Sequence, residues 1–204
     1  MASIIEDFDT ELSAVNSILG SLGQAPLNSL EFTNPEVAFI YNILIDTILD
    51  VQSEGWSFNT EEQIKLTPNG SKEIPIPSNY IKVDAHDNYN RRLTNVIVKD
   101  GKLYDKMAHS YEFNDPILCD VIELVEYENL PLVFKRYIAA RSATRAATQM
   151  VANRELAALL STQEAFLRAS CMEYECNQSD ASYFGLPDNT SYQTFQPYRA
   201  FARN

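Results

Sequence analysis

The chain is poor in the residues that most often hold metals. It has two histidines, His86 and His109, and three cysteines, Cys119, Cys171 and Cys176, in 204 residues. Neither histidine lies near a cysteine or the other histidine, so the ligand spacing of zinc and iron sites is missing. An odd cysteine count without that spacing reads as buried thiols. No apolar run approaches the roughly 20 residues of a membrane-spanning helix. Met1 to Thr10 carries Glu6, Asp7 and Asp9 and no basic residue, the wrong charge for a signal peptide. The expectation is a protein made and assembled in a cytoplasm. Glycine-rich phosphate loops, nucleophile elbows and zinc-protease signatures are also absent. No catalytic, cofactor-binding or metal-binding residue is therefore assigned.

Basic charge is missing from the first 64 residues, which hold eleven acidic side chains and no Lys or Arg. From Pro131 to Arg154 the bias reverses. Every charged residue there is basic: Lys135, Arg136, Arg141, Arg145 and Arg154. The net charge of -12 argues against tight nucleic-acid binding through phosphate neutralisation. It suits a solvated acidic face, or a passage through which DNA slips without sticking. Arg141 and Arg145 stand four apart on a helix and can pair with an acidic helix, in the same subunit or a neighbour.

Hydrophobic periodicity predicts four helices. The first runs from Glu11 to Leu22, capped by Asp9 or Thr10 and ended by Gly23. The second begins at Asn34-Pro35 and runs to about Glu54. The third starts at Pro131, with an alanine-rich face suited to close packing. After a break near Asn153, the fourth covers Arg154 to about Glu175, with Leu156, Leu159, Leu160, Phe166 and Leu167 as its core face.

Between the second and third helices the pattern changes to alternation. Trp56, Phe58, Ile64 and Leu66 read as strand, and so does Val121 to Tyr127. Asp100-Gly101 between two apolar runs signals a hairpin. Trp56 and Phe58 read as core aromatics, and the adjacent Glu61-Glu62 as pointing to opposite faces of a strand. The fold class is α+β: an antiparallel bundle of about four helices, an inserted antiparallel β subdomain, and an extended C-terminal tail. The divisions fall at 1–55 and 129–176 for the two halves of the bundle, 56–128 for the insert, and 177–204 for the tail.

That tail is unusual in its aromatics. Tyr183, Phe184, Tyr192, Phe195, Tyr198 and Phe201 sit in a stretch with weak folding signals, joined by Arg199 and Arg203. Disordered segments usually lack aromatics, and Tyr and Arg are favoured at interface hot spots. The expected interface set is these residues without Arg203, together with Lys135, Arg136, Arg141 and Arg145.

Four short strings resemble the tail tubular protein A family, the adaptors of short-tailed podophages. They are Glu11 to Asn16 with Gly23 and Pro26, Gly55 to Asn59 with Glu61-Glu62, Leu130-Pro131 with Phe134, Tyr137 and Ile138, and Cys171 to Glu175. Their order and spacing agree over roughly residues 10 to 176. The resemblance implies a virion structural protein without enzymatic activity. It implies a ring of twelve copies that joins the portal to the tail nozzle, supports the tail fibres, and passes genomic DNA through its lumen. The competing enzymatic reading is a virion-associated glycan hydrolase. That chemistry needs two carboxylates across a sugar-sized gap, which sequence spacing does not reveal.

Overall fold

In the computed structural model, which describes residues 10–86 and 95–178, the first two helices begin and end at side chains suited to those positions. Helix α1 spans Glu11–Ser21, and the Thr10 hydroxyl accepts from the Ser13 amide. Beyond it Gly23 takes φ +77°. The Gln24 amide reaches back to Leu19 and the Gly23 amide to Gly20, which satisfies carbonyls the helix would otherwise leave open. Helix α2 spans Pro35–Ser53, with the Asn34 carboxamide accepting from the Glu36 amide and Pro35 in the first turn.

Strand β1 (Thr60–Leu66), β2 (Tyr80–Ala85), β3 (Val96–Lys99), β4 (Lys102–Asp105) and β5 (Ile117–Glu123) follow. β5 lies between β1 and β2, antiparallel to both, and β3 and β4 form a separate hairpin. The hairpin turn is Asp100-Gly101, both at positive φ as a two-residue turn of this twist requires. Helix α3 (Leu132–Ala146) runs into a π-turn at Ala147–Val151 and a left-handed Ala152. Helix α4 (Arg154–Gln178) then starts at Asn153, whose side-chain oxygen accepts from the Glu155 and Leu156 amides. The Cys171 thiol lies against the Val133 carbonyl, so the end of α4 returns to the start of α3 and the two helices are antiparallel.

The buried side chains form two clusters. In the larger, Val15 and Ile18 of α1 meet Ile40, Leu44 and Val51 of α2 and Phe134 and Ile138 of α3. The smaller gathers Ile74, Val83, Leu103, Phe113, Cys119 and Val121 around the strands. Expected and observed elements differ in four places. Strand β1 begins at Thr60, because Trp56 to Asn59 form a turn that closes α2. Glu61 and Glu62 are both exposed, because a bulge with Gln63 at φ 59° breaks the alternation. β5 ends at Glu123, and Tyr127 belongs to a single 3-10 turn. Leu159 and Phe166, expected in the core, are each 72 % exposed, because α4 rests on α3 along its other side.

Candidate functional site

Three of the strings picked out in the sequence meet at one place, the junction between helices and strands. Gly55 stands at φ +76°, a backbone conformation that favours glycine, and a Cβ there would press on the end of the Ile122 side chain, 2.7 Å from its Cδ1. Trp56 is buried and donates its indole N–H to the Val51 carbonyl at 2.7 Å. Asn59, also buried, accepts from the Trp56 amide and donates to the Gln52 and Glu123 carbonyls. The buried Gln52 side chain exchanges two hydrogen bonds with the backbone of Val125, at 2.8 and 2.9 Å. Ser57 binds Glu175 of α4 through its amide and its hydroxyl, both at 2.9 Å. Phe134 packs its ring against Trp56, Phe58 and Tyr174. A buried polar network satisfied this fully holds its members in one geometry. The junction is built to be rigid.

Beside it, the acidic first third and the basic third helix come together. The Glu54 carboxylate takes a two-pronged contact from Arg168 of α4, at 2.8 and 3.1 Å, and a third bond from Arg141. Both guanidiniums also donate to the Tyr137 hydroxyl. One turn along, Arg145 pairs with Asp50 and donates to Thr47. Hydrogen bonds to Glu54 and Tyr137 push the Arg168 guanidinium further up in pKa. Burial works against the charge on Arg141, but Tyr137 and Glu54 leave its pKa raised too. Cys119 and Cys171 are buried thiols pushed up to about 11 by desolvation.

The other side of α3 is different. A groove of about 380 Å³ opens between α1 and α4. Ser17 and Ser21 of α1 form one wall, Gln163 of α4 forms the other, and Ala139, Ala140 and Ala143 of α3 form the floor. Its charged lining is Lys135 and Arg136, with no carboxylate among the described residues that line it. A glycosidase site needs two carboxylates, and the described lining supplies none. Lys135 is 4 % exposed and donates to the Glu128 carbonyl. Arg136 is exposed and makes no ion pair with a described residue. Leu132 in the groove is 49 % exposed. Leu159 and Phe166 flank Gln163 on the α4 rim, at the three- and four-residue spacing of helix neighbours.

Of the basic residues expected at an interface, Arg141 and Arg145 are thus engaged inside the subunit, and Lys135 and Arg136 face the groove. Tyr183, Phe184, Tyr192, Phe195, Tyr198, Arg199 and Phe201 lie outside the described residues. Sequence reasoning missed Leu159 and Phe166 as surface residues. It also missed Glu54 and Arg168 as partners, because neither stands in a recognisable motif. Among the described residues no cluster of His, Cys, Asp and Glu could hold a metal ion, and no helix is long and apolar enough to cross a membrane.

A family model described as tail tubular protein matches residues 12–181. The tail tubular protein A of Klebsiella phage KP34 is 29 % identical over 122 residues. That match covers 59 % of this chain and 62 % of the relative, so the chain spans less than two thirds of that protein's length.

Proposed function

The chain belongs to the tail tubular protein family, structural components of the phage tail, and from that premise we propose that it is the subunit of a tail adaptor ring. In this reading about twelve copies close through one repeated head-to-tail contact. The ring joins the portal to the tail nozzle, supports the tail fibres and forms part of the DNA ejection channel. It assembles in the host cytoplasm and ends in the virion tail. The net charge of -12 suits a channel wall that repels the phosphate backbone, so DNA passes without specific binding.

The observation that most supports assembly is the apolar rim of α4. Leu159 and Phe166, each 72 % exposed, stand one above the other beside an open groove. Clustered exposed apolar side chains mark protein contact surfaces. We take residues 1–55 and 129–176 as the two halves of the bundle that packs side by side, and 56–128 as an insert held at one end. Residues 177–204, with six aromatics, supply an arm that clasps a neighbour or the portal.

The test is the mass of the purified chain in solution, alone and with its phage's portal complex, followed by imaging. A portal-dependent ring of about twelve copies is the expected result. A chain that stays monomeric and ignores the portal overturns the reading.

A further inference from the structure

We infer that the outward face of α2 on one copy seats in the groove between α1 and α4 on the next copy. This rests on the ring reading above and names the two surfaces that make its repeated contact.

The two surfaces lie on opposite sides of α3. At 3.6 residues per turn, Leu132, Arg136, Ala139 and Ala143 fall on one side of that helix and line the groove. Phe134, Arg141 and Arg145 fall on the other side, and the two arginines are held there by Glu54 and Asp50 at the end of α2. A protomer therefore offers α2 in one direction and the groove in the reverse direction. Unlike faces that point opposite ways give a heterologous contact, which propagates and closes into a ring when the rotation allows.

The surfaces are complementary in charge and shape. The outward row of α2 carries Glu36, Phe39, Asn42, Asp46 and Leu49, all exposed, and no basic residue. Phe39 and Leu49 are each 40 % exposed. Among the described residues that line it, the groove carries the exposed Arg136 and no acid, with Leu132, Leu159 and Phe166 beside it. Alanine and serine on its floor and wall leave room for a helix backbone to come close, as small residues do at helix crossings. The stretch from Leu132 to Ala143 is about 17 Å long and receives roughly three turns of α2. One such contact is small beside the roughly 1,600 Å² of a standard stable interface. Two free copies therefore hold weakly, and closure on a template is needed.

The test places Asn42→Cys on α2 and Ala140→Cys on the groove floor, in a Cys176→Ser background that removes the exposed native thiol. Both substitutions leave every charge in place, and Cys119 and Cys171 are buried. Assembly is measured first by mass, with the portal complex present, and a short bismaleimide is then added. The expected result is a ladder of covalent multimers from the double variant and none from either single variant. A ring that forms without a ladder overturns the pairing and leaves the ring reading standing. Multimers from Asn42→Cys alone overturn it in favour of α2 against α2. If Ala140→Cys is protected from labelling in the monomer, the chain's own remaining residues fill the groove, and the pairing is again wrong. If the parent chain never assembles, the ring reading itself fails.

Discussion

The two sides of α3 are built differently. On the side facing α2, every guanidinium has a carboxylate: Arg141 and Arg168 share Glu54, and Arg145 has Asp50. On the side facing the groove, Arg136 is without such a partner among the described residues, and apolar side chains stand in solvent. One side is finished within the subunit and stabilises its fold. The other leaves surface that a second molecule can complete. The same helix thus separates residues whose loss should unfold the protein from residues whose loss should only keep copies apart.

Asn59→Leu should have the largest effect on the finished side. It removes three hydrogen bonds and leaves the buried Trp56 amide without its acceptor, while the Gln52 carbonyl keeps only the Gly55 amide. A cost of about 3 kcal/mol is expected, read as a fall of several degrees in thermal midpoint. Glu54→Ala should come next, at about 1–2 kcal/mol, because it frees two guanidiniums that are only partly exposed. Denaturant titration checks both. Phe166→Ser should change monomer stability by less than about 0.5 kcal/mol, since the side chain already lies in water. It should still lower ring yield on the portal, and equal loss of stability and assembly would erase the distinction between the two sides. The smallest effect concerns thiols. At neutral pH one fast-reacting thiol, Cys176, is expected in the native chain, because burial keeps Cys119 and Cys171 protonated with pKa values of about 11. Fast reaction of all three before unfolding would contradict this burial.

The helices were legible because their signals are local. Thr10, Asn34-Pro35, Gly23 and Asn153 mark ends by hydrogen bonds within a few residues, and the structure places the caps there. Asp100-Gly101 marked its hairpin for the same reason. The outer limits of the strands were less legible. Trp56 and Phe58 alternate like a strand, but a side-chain amide 64 residues from its carbonyl partner decides that they turn instead. The face of α4 was not legible either. Leu159 and Phe166 continue the apolar spacing of a core face, and periodicity alone does not say which flank meets α3 and which is left open. The reversal of charge between residues 1–64 and 131–154 did point to pairing. Which acid meets which arginine depended on packing.

The pairing of α2 with the groove can be put to a complementation measurement. Asp46→Lys reverses the middle of the α2 row, and Arg136→Glu reverses the groove. Each variant alone sets like charges against each other at every contact and should remain monomeric with the portal present. Mixed in equal amounts, the two alternate, and every contact again joins opposite charges. Light scattering of the mixture should then recover the mass of the assembled ring. Rings from either variant alone, or a mixture that stays monomeric while the parent chain assembles, would contradict it.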